Sequence, residues 1–298
     1  MEFIRLLENI RSPFLDSVFG LITSLGEETI GIIVLCAIFW CISKRAAYGI
    51  GITYFLSGLT VQGMKICFRI DRPWVADATL NPVPSALEHA TGYSFPSGHT
   101  QSAAAIFGTL GVQIKRKPLK AVFFLLAILV AFSRLYLGVH TPADVAVSLL
   151  ISAVLIFLTV KVFKADPVNK KRELATAVFM VLFAGAVIVI AAVLFSRGAI
   201  DQGYVSDCLK AAGAGAGFAV GMYIERVYIS FPVKAKNLVW QIIKLVIGLA
   251  GVLAIKEGLK LVIGTGLGVD TFRYFLMLIW VTVLFPLIIK KWLAGKDG

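Results

Sequence analysis

The sequence predicts an all-α, polytopic membrane protein, and three observations lead to this prediction. First, 58% of the 298 residues are hydrophobic and only 15% are charged, with a mean hydropathy of +0.87. A soluble domain has about half apolar and about a quarter charged residues. Second, the apolar residues form blocks of about 18–25 residues, the length that a helix needs to cross ~30 Å of hydrocarbon. Third, basic residues gather in short segments between these blocks, as they do in membrane proteins.

An amphipathic segment precedes the apolar blocks. Apolar residues from Phe3 to Ile10 recur at helical spacing, with Arg5, Glu8 and Arg11 on the opposite side. We therefore expect an N-terminal helix that lies in the membrane interface.

The apolar blocks predict about nine transmembrane helices. They are expected at Glu28–Ser43, Ala46–Phe68, Ser97–Ile114, Leu119–Leu137, Pro142–Phe163, Leu174–Phe195, Val205–Ile229, Leu238–Ile255 and Phe272–Ile289. This organisation divides the chain into two regions. Residues 1–165 would form a core with the interfacial helix and five spans, and residues 166–298 a further four-span region of unknown role.

The basic residues also predict the orientation of the chain. With nine spans, the basic segments around Lys44, Lys115, Lys170 and Lys290 fall on one side, which the positive-inside rule assigns to the cytoplasm. The segment 70–95 is then expected to face outward. Because orientation accounts for the formal charge of +12, no nucleic-acid partner is expected.

Gly213, Gly217 and Gly221 recur every four residues along one face of a predicted span. Small residues at this spacing allow two membrane helices to approach closely. We expect this face to pack against the core of the same chain or to form a homo-oligomer.

Three stretches interrupt the apolar pattern with ionisable residues: Lys65–Pro73, which reads KICFRIDRP, Pro96–His99, which reads PSGH, and Ser133–Asp144, which reads SRLYLGVHTPAD. Charged groups at membrane depth are costly and commonly mark a functional site. Each stretch has a structural explanation by itself, such as a helix cap or a lysine that reaches the interface. Together, however, they place their polar residues at the outer ends of helices that are neighbours in sequence.

These residues suit phosphoryl transfer. The transferred phosphoryl group carries negative charge on three oxygens, so its site requires cations and preorganised N–H donors. Lys65, Arg72 and Arg134 can supply the cations, and both arginines can bind phosphate bidentately. Ser97 and Gly98 open a predicted helix, where free backbone N–H groups favour an anion. Because the cations are built into the chain, neither a metal ion nor another cofactor is expected.

Two histidines can divide the chemical work. One of His99 and His140 can attack phosphorus, while the other protonates the leaving oxygen. Asp144 follows His140 by four residues, and a carboxylate at this position can hold an imidazole in the correct tautomer.

The three stretches together resemble the signature of the type-2 phosphatidic acid phosphatase family. K-x6-R-P, P-S-G-H and S-R-x5-H-x3-D match it in order and in spacing, and the resemblance covers roughly Pro13 to Phe163. It implies that His140 is a nucleophile that forms a phosphohistidine, with Asp144 as its partner and His99 as the general acid. It also implies a set of phosphate-binding residues: Lys65, Arg72, Ser97, Gly98 and Arg134.

The resemblance implies a membrane phosphatase that hydrolyses a lipid phosphate or lipid diphosphate. The orientation predicted from the basic residues places its site at the extracytoplasmic face, and we expect this membrane to be a bacterial cell membrane. The substrate stays open among undecaprenyl diphosphate, phosphatidate, phosphatidylglycerol phosphate and a sphingoid-base phosphate. A transporter of a phosphorylated or anionic lipid is the alternative, because charged residues and a glycine-rich helix would suit one. The sequence shows no inverted repeat, and a transporter leaves the two spaced histidines unexplained.

Overall fold

The computed structural model describes residues 1–88, 90–163, 168–235 and 237–294, and every regular element in these ranges is helical. The predicted all-α class is therefore confirmed. The helices are α1 (Glu2–Glu8), α2 (Pro13–Ser24), α3 (Glu28–Ala37), α4 (Lys44–Phe68), α5 (Pro73–Ala76), α6 (Pro84–Leu87), α7 (Gly98–Ala103), α8 (Thr109–Gln113), α9 (Lys117–Tyr136), α10 (Pro142–Phe163), α11 (Lys170–Ser196), α12 (Gln202–Ile224), α13 (Leu238–Leu253), α14 (Leu259–Ile263), α15 (Leu267–Ile279) and α16 (Phe285–Ala294). π-Helical turns extend or join some of them, at Ile38–Ile42, Ala104–Gly108, Glu225–Ile229, Ala254–Gly258 and Trp280–Leu284.

Five helical stretches of the described chain are long and apolar enough to cross a membrane. They are Lys117–Tyr136, Pro142–Val162, Lys170–Ser196, Leu238–Ile263 and Leu267–Trp292. A sixth span arises if Pro13–Ser24 and Glu28–Ile42, which bend by 49°, count as one. Helices α4 and α12 are long enough but are not among these stretches. The number of nine spans therefore stays a prediction.

The chain forms two compact units. The first contains Met1–Ile32 and Thr60–Lys161, and the second contains Ile33–Leu59 and the chain from Val162 onward. The segment Ile33–Leu59 thus belongs to the second unit, whereas the sequence placed it with the predicted core. The functional division at residues 165 and 166 stays a prediction.

In the first unit, the N-terminal helices pack beside α9. Leu7 of α1 is buried with Leu135 and Val145, whereas Phe3 and Leu6 are exposed. The predicted apolar face of α1 is therefore partly buried in protein, and its position in the membrane interface stays a prediction.

Helix α2 has the sequence signals of a helix start. Ser12 caps it by accepting a hydrogen bond from the backbone N–H of Leu15, and Pro13 occupies its first position. The ring of Phe19 on this helix then lies 4.2 Å, centroid to centroid, from that of Tyr136. These contacts hold α2 against the end of α9, next to the segment that carries His140.

In the second unit, the glycine face of α12 packs against α15. A Cβ atom at Gly217 would lie 2.5 Å from the carbonyl oxygen of Phe275, and one at Gly213 would overlap the backbone of Thr271. The predicted close approach of a second helix is confirmed. This helix is α15 of the same chain, and not a helix of the predicted core or of a second copy. Because α15 of the same chain covers this face, the glycines are not available to a homo-oligomer. Self-association stays a prediction without an assigned surface.

Candidate active site

The first unit brings the predicted site residues together from the ends of several helices. Lys65 lies in the last turn of α4, Arg72 precedes α5, and Arg134 lies in the last turn of α9. The beginning of α7 contributes Gly98 and His99, and the beginning of α10 contributes Asp144, directly after the segment with His140. Most of these polar side chains are buried, namely those of Lys65, Arg72, Ser97, Arg134, His140 and Asp144.

The contacts of His140 determine which of its ring nitrogens carries the proton. Nε2 lies 2.9 Å from Nη1 of Arg72, and Nδ1 lies 3.4 Å from Oδ2 of Asp144. Since a guanidinium group has donors but no acceptor, Nε2 must present its lone pair to Arg72. The proton is therefore on Nδ1, where the carboxylate of Asp144 can accept it. This tautomer leaves the lone pair on Nε2, beside the guanidinium group of Arg72.

The carboxylate of Asp144 is fixed by two further donors. Its Oδ2 accepts hydrogen bonds from the hydroxyl of Ser94 at 2.5 Å and from the backbone N–H of Thr141 at 2.7 Å. The hydroxyl of Thr141 accepts in turn from the backbone N–H of Asp144, as an N-cap does. Sequence reasoning missed Ser94, because no motif position marks it and only the fold brings it to Asp144.

Arg72 organises the segment that precedes the PSGH motif. Its guanidinium donates to the carbonyl oxygens of Gly92 at 3.0 Å, Thr91 at 2.6 Å and Val139 at 3.0 Å. The ammonium group of Lys65 donates to the carbonyl of Tyr93. The two predicted cations therefore also hold the backbone of residues 91–93, and Arg72 links this segment to His140.

Arg134 is fully buried, and its side chain has one hydrogen-bond partner among the described residues. Its Nη1 donates to the hydroxyl of Thr23 at 2.7 Å, whereas Nε and Nη2 have no partner in the described chain. Unsatisfied buried donors are costly, about 1–3 kcal/mol each and more for a charged group, so these atoms are suited to an anionic ligand. Sequence reasoning missed Thr23, which lies outside the three motif stretches.

The predicted helix start at Ser97 and Gly98 is confirmed. Ser97 caps α7, its hydroxyl accepting from the backbone N–H of Thr100. The backbone N–H of Ser97 donates to the carbonyl of Asp144, and the carbonyl of Ser97 accepts from the hydroxyl of Ser148. The beginnings of α7 and α10 are thus tied together, which fixes the segment that carries His99 relative to the one that carries His140.

The electrostatic environment keeps His140 neutral. Burial lowers the pKa of His140 below its ordinary value of 6.5, and the positive charges of Arg72 and Arg134 lower it further. A neutral imidazole retains the lone pair that a nucleophile needs. Among the described residues, no group of three His, Cys, Asp or Glu side chains is arranged to hold a metal ion.

Comparison with known proteins identifies the family of this chain. The family model described as PAP2 superfamily matches residues 45–168, a range that includes all eight predicted site residues. A second family model, PAP2 superfamily phosphatase, transmembrane extension, matches residues 209–295. The chain belongs to the PAP2 superfamily. The family predicted from the three-part signature is therefore confirmed, and the protein is an integral membrane protein.

Two similar proteins are named for different lipid phosphates. A probable sphingosine-1-phosphate phosphatase of Dictyostelium discoideum is 31% identical over 51% of this chain and 40% of its own length. Phosphatidylglycerophosphatase B of Bacillus subtilis is 28% identical over 50% of this chain and 75% of its own length. Among solved structures, LpxE of Aquifex aeolicus is 28% identical and covers 54% of this chain and 93% of its own, with a TM-score of 0.46. This PAP2 chain thus spans less than half the length of the first of these relatives.

Proposed function

We propose that this PAP2 protein is a membrane enzyme that hydrolyses a lipid phosphate or lipid diphosphate through a phosphohistidine intermediate. The arrangement of His140 carries the proposal. Its Nε2 lone pair faces Arg72, and its Nδ1 proton faces Asp144. A nucleophile and a phosphate-binding cation therefore share one buried position.

The reaction begins when the phosphate group of the substrate binds among Lys65, Arg72 and Arg134. An oxygen of the phosphate replaces Nε2 of His140 as the partner of Arg72 Nη1, which frees the lone pair for attack on phosphorus. A bond forms between Nε2 and phosphorus, and the bond between phosphorus and the leaving oxygen breaks. The leaving oxygen belongs to the lipid alcohol of a monophosphate, or to the remaining lipid phosphate of a diphosphate. Asp144 stabilises the positive charge that the imidazole gains.

His99 serves as the general acid in the first step, because it opens α7 beside the segment that carries the nucleophile. It gives its proton to this leaving oxygen. In the second step, neutral His99 takes a proton from water as the water oxygen attacks phosphorus. The bond between phosphorus and Nε2 then breaks. This step releases inorganic phosphate, whether the substrate was a monophosphate or a diphosphate, and regenerates His140.

The proposed substrate is a lipid whose phosphate reaches water at the outward face of a bacterial cell membrane, while its tails stay in the bilayer. The positive-inside distribution supports this face. Exposed apolar side chains on elements that contribute to the site support a lipid: on α2, Phe14 and Leu21 are each 75% exposed, and Phe68 and Ile70 lie within the first motif stretch with exposed side chains. The names of the relatives support lipid phosphates as a class and do not choose among them.

Purified protein in detergent tests the proposal. It should release phosphate from at least one of undecaprenyl diphosphate, phosphatidate, phosphatidylglycerol phosphate and sphingosine phosphate, and vanadate should inhibit the release.

His140→Ala should lose several powers of ten in kcat/KM, because the attacking atom is removed. Rapid quenching with substrate labelled in its phosphate should give an acid-labile, base-stable phosphoprotein in the native protein and none in His140→Ala. Folded His140→Ala that keeps more than about a tenth of the activity would overturn the assignment of the nucleophile. Lipid transport without phosphate release would instead favour a transporter.

A further inference from the structure

The sharp corner between α2 and α3 contacts the active site directly. Helix α2 ends at Ser24, α3 begins at Glu28, and the two helices bend by 49° relative to each other. We define this α2–α3 corner as residues 23–27. The corner precedes the residues matched by the PAP2 superfamily model, which begin at residue 45, and it lies outside the three motif stretches.

One contact of the corner is the hydrogen bond from Arg134 to Thr23. The hydroxyl of Thr23 is the acceptor for Nη1 of Arg134 at 2.7 Å, and both residues are buried. A single acceptor on Nη1 restricts rotation of the guanidinium group and leaves Nε and Nη2 for a ligand. Glu27, at the end of the corner, adds an attractive electrostatic interaction with Arg134. The corner therefore determines both the direction of this cation and part of its charge balance.

A second contact joins the corner to His99. A Cβ atom at Gly26 would lie 2.7 Å from the carbonyl oxygen of His99, 3.0 Å from its Cβ and 2.9 Å from Cγ1 of Val130. Real Cβ atoms essentially never approach backbone atoms this closely, so position 26 accepts a hydrogen atom and no side chain. Because the nearest atom belongs to the backbone of His99, a larger residue cannot be accommodated by a side-chain rotation and must move the corner and the His99 segment apart.

We propose that the α2–α3 corner positions two functional groups of the active site, with Thr23 orienting Arg134 for phosphate binding and Gly26 fixing the position of His99 for leaving-group protonation. This inference rests on the proposed function, since it assigns positioning residues to the same reaction. Thr23 and Gly26 act through Arg134 and His99, so each should alter a different property of catalysis.

The role of Thr23 is tested by an isosteric pair of variants. Thr23→Val keeps the volume of the side chain but removes the acceptor, whereas Thr23→Ser keeps the acceptor. Because a hydrogen bond to a charged group is involved, Thr23→Val should lower kcat/KM about 10- to 100-fold and weaken vanadate inhibition by a similar factor. Thr23→Ser should restore most of both. Equal vanadate inhibition of the Val, Ser and native proteins would overturn the role of Thr23.

The role of Gly26 is tested by its dependence on the leaving group. Gly26→Ala breaks the close contact that fixes His99 in this proposal, so it should lower kcat for the lipid substrate at least about 10-fold more than for an aryl phosphate, whose leaving group needs little protonation. Gly20→Ala on the neighbouring helix α2 is the control, because a Cβ atom there has no neighbour within 4 Å. It should leave both rates and the folded fraction unchanged. A loss in Gly26→Ala that is equal for both substrates would mean that Gly26 has only a structural role.

His99→Ala separates failure of this inference from failure of the proposed function. If His99→Ala shows the dependence on leaving group and folded Gly26→Ala does not, the proposed function stands and the positioning role of Gly26 is wrong. If His99→Ala shows no such dependence, the assignment of the general acid is wrong. If Gly26→Ala does not fold, the Thr23 pair decides, and normal vanadate affinity in Thr23→Val overturns the proposal.

Discussion

The hydroxyl of Ser94 lies 2.5 Å from Oδ2 of Asp144, closer than Nδ1 of His140, which lies 3.4 Å from the same oxygen. The carboxylate that is expected to orient the nucleophile is therefore itself oriented by a serine outside the family signature. The backbone N–H of Thr141, at 2.7 Å, completes the arrangement. With these two donors in place, Oδ2 can accept from His140 without a rotation of the Asp144 side chain.

This relationship predicts that Ser94→Ala lowers kcat about 10-fold and changes KM little, because the loss of one hydrogen bond to a carboxylate allows Asp144 to rotate. Steady-state kinetics on a lipid phosphate measure both constants. Ser196→Ala is the control, since Ser196 is exposed and its hydroxyl donates only to the carbonyl of Val193 within its own helix. An unchanged kcat in Ser94→Ala would show that Asp144 is held well enough by the backbone of Thr141.

The environment of His140 predicts the pH dependence of the reaction. Burial and the nearby charges of Arg72 and Arg134 lower the pKa of His140 below 6.5, so the neutral nucleophile persists as the pH falls through that value. The acid limb of kcat/KM that belongs to His140 should therefore lie below pH 6.5, once the ionisation of the substrate phosphate is subtracted.

The same lowered pKa affects stability. As the pH falls below 6.5, an unfolded chain binds a proton at His140 that the folded chain does not, so unfolding becomes easier from pH 6.5 down to the folded pKa. His140→Gln should reduce this loss of stability, measured as thermal midpoints in detergent between pH 7 and pH 5. An acid limb of kcat/KM for His140 at or above pH 6.5 would show that burial and the two arginines do not lower the pKa of His140.

The sequence was sufficient for the helical class and the family because both depend on local signals. Long apolar blocks predict helices, and the motif residues stand at fixed spacing along the chain. Ser94, Thr23 and Gly26 were missed because their roles depend on contacts over long sequence distances, such as the 111 positions between Thr23 and Arg134. A serine or glycine without a motif position gives no signal of such a contact.

The sequence was also insufficient for the partner of the glycine face. Gly213, Gly217 and Gly221 predict that a helix comes close, but small residues do not specify which helix it is. The facing helix, α15, has no complementary motif in the sequence, and only the structure identifies it. Likewise, local hydropathy does not decide whether α4 and α12 cross the membrane, because helices buried among other helices need less apolar surface.

The distribution of basic residues predicts which face carries the site. In a protein whose native cysteines are replaced, a cysteine at Ala78 should react with an impermeant thiol reagent added to intact cells, because residues 70–95 are expected outside. A cysteine at Ala165, which lies outside the described residues, should react only after the cells are opened. Labelling followed by mass spectrometry gives the reacted fraction at each position. In intact cells, labelling of the cysteine at Ala165 but not of the cysteine at Ala78 would place the site on the cytoplasmic face.

The close contact between α12 and α15 predicts how the second unit responds to a larger side chain. In Gly217→Leu, the new side chain would overlap the carbonyl oxygen of Phe275, 2.5 Å from the Cβ position, and backbone atoms cannot rotate away. The free energy of unfolding should fall by at least about 1–3 kcal/mol, which is the usual cost of overpacking a core. The thermal midpoint in detergent should fall with it. Gly185→Leu is the control, because a Cβ atom there has no neighbour within 4 Å.

The signature residues all lie before Val145, so phosphate release per folded molecule of Gly217→Leu should stay within a few-fold of the native value. Because the contact is made within one chain, the oligomeric mass should not change. A folded Gly217→Leu protein with a normal thermal midpoint and no phosphate release would mean that the second unit shapes the active site directly, and the functional division of the chain would then be wrong.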